Sequence, residues 1–181
     1  MNHKNSSRKH RSRLSTPVRL GVAAVAACFI AAPLLAAPPV PATNLPTGFT
    51  NLVGIDAKNI VAGANSLNII TSATKSAADV ANFNIAAGYS VGITQPTASS
   101  DVLFRVLSNN PSVIYGRLSS NGGVYLVNPG GIFVGPGGQV DVARFVATTL
   151  AIRNEDFLAG RNLFINDGTA QNVINQGEIR T

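Results

Sequence analysis

The chain is 181 residues long, enough for one domain with a sizeable core, and carries a formal net charge of +6. Six of its fourteen basic residues (Lys4, Arg8, Lys9, Arg11, Arg13, Arg19) precede every acid, and the other eight balance eight acids that all lie beyond residue 50. A basic surface that would recruit nucleic acid is therefore excluded for the body of the chain.

The N-terminus runs in the order of a secretory signal peptide: basic residues, the uncharged stretch LGVAAVAACFIAAPLLAA from Leu20 to Ala37, then the Pro-rich PPVPATNLP. A membrane anchor is the competing reading. Pro33, the many alanines and a length at the lower limit for a span argue against it. Residues 1–37 are expected to be a leader cleaved near Ala36 or Ala37. Val25-Ala26-Ala27-Cys28 offers a lipoprotein-type alternative, but cutting there leaves Phe29 and Ile30 beside the lipidated Cys. His3, His10 and Cys28 are the only His and Cys residues. Leader removal thus excludes disulfides, Cys/His zinc sites and His-dependent nucleophilic catalysis, and no metal or cofactor is implied.

Residues 38–49 are expected to form an extended, mobile Pro-rich segment. Beyond it, strand-like runs rich in Val, Ile, Phe and Tyr are bounded by Gly, Asn, Asp, Ser or Pro. They fall at 59–62, 66–71, 79–85, 90–94, 101–107, 112–115, 124–127, 132–134, 139–142, 144–152, 162–165, 172–175 and 178–180. Helical periodicity competes only at Ala73 to Ala81, for one or two turns, and weakly at Asn154 to Gly160. The chain reads as all-β.

Many of these runs are shorter than the roughly five to six residues usual for strands in sandwiches and barrels. After Gly122 they recur about every 18 to 22 residues, in the loose manner of a solenoid. A three-residue strand cannot hold a sheet alone, but it holds when each coil lays an equivalent strand on the one before. A parallel β-helix is therefore expected, with Leu126, Ile132, Val140, Val146 and Ile165 turned inward. Sixteen Asn follow residue 38. They fit either amide stacking from rung to rung or ordinary turns.

Asn128-Pro129-Gly130-Gly131 suits a β-turn at each position: Asn can bond the backbone two residues on, Pro fixes φ, and Gly at the third permits a type I or type II geometry. By itself it could equally close a plain hairpin between Val124–Val127 and Ile132–Val134. Its neighbourhood is more specific. From Phe83 to Ile152 the pieces FNI, QPTASS, NNPSVIYGRL, NGGVYLVNPGGIFVGPGGQVDV and FVATTL occur in order. This stretch resembles the N-terminal two-partner secretion domain of filamentous haemagglutinin-like exoproteins, with weaker likeness from about residue 50 to Thr181.

The resemblance implies a right-handed parallel β-helix over residues 50–181, with short capping strands. It also implies export by the Sec translocon, then recognition by an outer-membrane β-barrel transporter with periplasmic POTRA domains. Secretion to the exterior or cell surface follows, and any contact with host cells falls to a passenger. The family corner reads Asn-Pro-Asn-Gly-Ile. Asn128, Pro129, Gly131 and Ile132 match it and Gly130 replaces the second Asn, which marks Asn128, Pro129, Gly130, Gly131 and Ile132 as the turn and recognition motif. Phe104 stands where relatives commonly carry Asn, and the family's Asn-Pro-Asn-Leu signature is absent. Family exoproteins usually continue into long passengers, so a chain ending at Thr181 is expected to be a fragment, a truncated frame or a free-standing domain.

Two other classes compete. A β-helix polysaccharide lyase or hydrolase would act through carboxylates, but Asp56, Asp79, Asp101, Asp141, Glu155, Asp156, Asp167 and Glu178 are scattered. They read as solvated surface charges, and the adjacent Glu155 and Asp156 would point to opposite faces of a strand. No enzyme is expected. A free-standing carbohydrate- or cell-binding β-helix is the other alternative. Gly135-Pro136-Gly137-Gly138 lacks the Lys and helix of a phosphate loop and is a turn.

Overall fold

The computed structural model of the chain describes residues 39, 41, 43–166, 168 and 171–181. The expected leader, with His3, His10, Cys28 and the Ala36/Ala37 junction, lies outside the described residues, as does Asp167. The elements in chain order are β1 (Thr50–Val53), β2 (Ile55–Ala62), β3 (Ser66–Thr71), β4 (Lys75–Val80), β5 (Ser90–Thr94), β6 (Asp101–Val106) and β7 (Ser112–Ile114). After these come β8 (Arg117–Val127), β9 (Ile132–Val134), β10 (Gln139–Thr148), α1 (Asn154–Leu158), β11 (Val173–Asn175) and β12 (Glu178–Arg180).

Ser66, Ser90, Arg117, Gln139 and Glu178 lie in one parallel register line, so successive coils take 24, 27, 22 and 39 residues. The first sheet stacks β3, β5, the first parts of β8 and β10, and β12. A second stacks β4, β6 and the later parts of β8 and β10, the long strands bending from one sheet into the next. A third stacks β7, β9 and β11, with Ile85 bridging Ile114 at its start. This is a parallel β-helix, with the right-handed sense that parallel crossovers adopt. Its rungs are longer and less even than the 18 to 22 residues read from the sequence, because loops enter at the corners, the largest between β10 and β11.

Alternation along each strand fills the coil. Leu67, Val91, Leu118 and Val140 stack from the first sheet, Ala78, Phe104 and Leu126 from the second, and Ile114, Ile132 and Val134 from the third. Phe104 is fully buried and its ring lies 5.2 Å from that of Phe83. The coil therefore takes an apolar residue where an Asn would need an internal hydrogen-bond partner.

Segments outside the coil cover two of its surfaces. β1 and β2 pair antiparallel with β4 and β3 and close the first rung. The loop between β10 and β11 folds over the outer side of the second sheet, where Phe157 of α1 and Ile152 pack on Ala77, Leu103, Tyr125 and Val127. The Phe157 ring stands edge-on to Tyr125 at 5.0 Å.

Four expectations need correction. Ala73 to Ala81 forms no helix: β4 occupies it, and its Ala77, Ala78 and Val80 are fully buried between β1 and β6. Sandwiching between two strands outweighs the helical preference of alanine. Leu126, Ile132 and Val140 do point inward, but Val146 packs in the outer cluster with Phe157. Ile165 is 49% exposed, because 162–165 is part of the covering loop and is held by an antiparallel bridge to Ala151. The Pro-rich segment is also anchored: Tyr115 Oη donates to the Pro39 carbonyl at 3.0 Å, Asn84 Nδ2 to Thr43 Oγ1 at 3.2 Å, and Leu45 packs on the core.

Candidate functional site

The corner between β8 and β9 is built by one side chain. Asn128 is fully buried. Its Oδ1 accepts the Gly130 N–H at 2.9 Å, while Nδ2 donates to the Asn110 carbonyl at 3.0 Å and to Ser112 Oγ at 2.9 Å. One amide thus shapes its own turn and binds it to the corner of the rung before. The rung-to-rung bond runs from amide to backbone and hydroxyl and is no amide-on-amide ladder.

The two glycines have different duties. The Gly131 N–H closes the turn onto the Asn128 carbonyl at 3.0 Å, and Gly131 has φ +105°, in the region that L side chains rarely adopt. Gly130 is needed for space. A Cβ there would lie 2.6 Å from the Asn109 carbonyl oxygen, 2.8 Å from its carbon and 3.0 Å from the Asn110 oxygen. The family Asn would not fit against this neighbouring corner. Ile132 is buried in the core, and its N–H donates to the Asn172 carbonyl at 3.1 Å. Of the five motif residues only Pro129 and Gly130 reach the surface, beside an open recess of about 430 Å³ lined also by Asn109 and Gln171.

The QPTASS segment is a second knot. Gln95 exchanges two hydrogen bonds with Asn121 through its backbone, at 2.7 and 2.8 Å, and its Nε2 donates to the Gly123 carbonyl at 2.8 Å. Arg144 grips the same loop by donating to the Ala98 and Ser100 carbonyls at 3.0 Å each.

Two acids read from the sequence as solvated are buried. Asp101 accepts from Lys75 at 2.7 Å and from Arg144 at 2.6 Å, across a gap left by Gly123. Asp79 takes a two-pronged pair from Arg105 at 2.8 Å and a third bond from Asn51 at 2.6 Å. Burial alone would raise the Asp79 carboxyl. The hydrogen bonds from Arg105, Asn51 and Asn154, with the Arg105 charge, outweigh it and hold the group below the usual carboxylate range. These acids hold rungs together and do not face one another as an acid–base pair. A signal for them was present: Lys75–Asp101 and Asp79–Arg105 are both 26 residues apart, one coil, but reading it requires the register.

Residues 46–181 match the family model of the TPS secretion domain. The chain belongs to this family. Among curated relatives of this TPS secretion domain is a heme/hemopexin-binding protein of Haemophilus influenzae, 31% identical over 140 residues, which covers 76% of the chain and 15% of that protein. A second heme/hemopexin-binding protein of Haemophilus influenzae is 35% identical over 86 residues, covering 48% of the chain and 9% of the relative. The chain therefore spans a small fraction of the length of either. Its fold matches the crystal structure of the HMW1 secretion domain from Haemophilus influenzae with a TM-score of 0.67 and 33% identity, over 74% of this chain and 36% of that one.

Proposed function

We propose that this TPS secretion domain acts without catalysis as the export address of an exoprotein. Residues 1–37 direct Sec export and are removed near Ala36 or Ala37, residues 38–49 form the N-terminal strap, and residues 50–181 are presented in the periplasm to an outer-membrane transporter through its POTRA domains and barrel. Contact with host cells belongs to a passenger. One observation carries the recognition reading: Asn128 and Gly131 fix the corner from below, which leaves Pro129 and Gly130 rigidly displayed beside the Asn109–Gln171 recess.

The test pairs two measurements on Pro129→Ala and Asn109→Ala, neither of which removes a core contact. Thermal midpoint is read on purified protein, and secreted fraction in cells carrying the cognate transporter. Secretion should fall while the midpoint holds. If secretion follows the midpoint alone, the corner is a folding device and recognition lies elsewhere. Mass spectrometry of the exported protein should give an N-terminus near Pro38, with Cys28 gone; an exported protein that begins at a diacylglyceryl-modified Cys28 would establish the lipoprotein cleavage instead.

A further inference from the structure

Of the sixteen Asn that follow residue 38, one alone precedes a glycine: Asn121, in β8. Asn-Gly is the dipeptide most open to deamidation, because the glycine backbone turns freely enough to bring its nitrogen onto the Asn side-chain carbon. The fold imposes both residues. β8 passes here from the first sheet to the second, its pairing with β5 ending at Ser120 and that with β6 starting at Gly123. Asn121 is exposed, yet both ends of its amide are used: Oδ1 accepts the Gln95 N–H at 2.7 Å and Nδ2 donates to the Gln95 carbonyl at 2.8 Å. Gly122 is required for space, since a Cβ there would lie 2.6 Å from Gln95 Nε2 and 2.7 Å from the Ser100 carbonyl oxygen. The Gly122 N–H donates to Ser120 Oγ at 3.2 Å. The native corner thus demands a labile pair and occupies each group that would react.

We propose that Asn121-Gly122 is a deamidation site, open while the chain is unfolded and closed by the coil, and that its conversion spoils the native corner. In the unfolded chain the Gly122 nitrogen attacks Asn121 Cγ. A C–N bond forms, the attacking nitrogen gives up its proton, and the side-chain nitrogen leaves as ammonia. Water then opens the five-membered imide at either carbonyl to leave aspartate or isoaspartate, with no change of oxidation state. In the folded chain ring closure requires breaking the Gln95 pair first. The product cannot rebuild that pair. A carboxylate has no donor, so one oxygen would meet the carbonyl of buried Gln95, acceptor against acceptor. Isoaspartate also adds a main-chain carbon, which disturbs the register of β8 with β6 and β10. The pair is a clock that runs while the chain waits unfolded and stops when the coil closes.

The test holds the purified chain at mildly alkaline pH in two arms, native buffer and guanidinium chloride, sampled by peptide-mapping mass spectrometry. In denaturant the peptide holding Asn121 should gain the mass of amide-to-acid conversion ahead of every other Asn peptide. In native buffer it should do so at least about tenfold more slowly, following the population of the open corner. The denatured pool is then refolded and its converted and parent forms separated by charge. The converted form should refold in lower yield, and what folds should melt at a lower temperature, as should Asn121→Asp. Equal rates in the two arms, earlier conversion of other Asn in denaturant, or a converted form that refolds and melts like the parent overturns the proposal. The rate comparison uses the parent chain and decides the question should Asn121→Asp fail to fold.

Discussion

Gly130 shows how a single atom decides between family likeness and local fit. The second Asn of the family corner is the obvious restoration, yet its Cβ would meet the Asn109–Asn110 backbone, which has no flexible end to move aside. Gly130→Asn should therefore cost about 1–3 kcal/mol, as overpacking does, read as a shift of the urea midpoint. Gly131→Val should cost a similar amount, about 1–3 kcal/mol, for a different reason, the left-handed backbone at φ +105°. Combining Gly130→Asn with a Gly at Asn109 should not recover the loss, since the clash is with main-chain atoms.

Asp79 gives the pH dependence of the fold. Its carboxyl is held below its ordinary value in the native state, so the stability it contributes is complete above the unfolded value near pH 4. That contribution is lost as pH falls through the lower native value. Asp79→Asn should destabilise the chain at neutral pH by about 1–3 kcal/mol. The gap to the parent should narrow below about pH 4, measured by denaturant titration at stepped pH. A constant gap across that range would remove Asp79 from the acid transition.

Among the elements, the coil strands were largely legible because apolar alternation and turn residues mark them without knowledge of the fold. β5, β9 and β12 begin and end where the residues place them. The covering elements were not legible. Nothing in KSAADV says that both its sides will be buried, and nothing in NLFIND says that it leaves the coil, because each depends on what lies across from it. α1 was faintly visible through Asn154 to Gly160, where Glu155 and Asp156 in its first turn favour the helix N-terminus. Its anchor carries the packing: Phe157→Ala should cost about 3–5 kcal/mol and expose Leu103 and Tyr125, checked by thermal unfolding and by tyrosine fluorescence.

On the scale of the whole molecule, β8 is the middle of the coil. It is bonded to β5 and β6 on one side and to β10 on the other, whereas β12, among the described residues, pairs only with β10 and is exposed along its length. Hydrogen exchange should rank the β8 amides as the slowest and those of β11 and β12 among the fastest. The corner between β8 and β9 was legible as a turn from Asn128 and Pro129 alone. Its neighbour across the rung, Asn109, was not, because their contact exists only once the coils are stacked.

Arg144, Asp101 and Lys75 sit on three of four successive rungs of the second sheet, with Gly123 on the other. Pulled from its C-terminus, the coil should peel one strand at a time at low tension, β12 first. It should then resist abruptly when the load reaches Arg144, because that guanidinium is riveted past its neighbour to a carboxylate two rungs below. A force–extension trace would show this as a single tall step, flattened in Arg144→Ala, and the domain would yield like a zipper with one locked tooth.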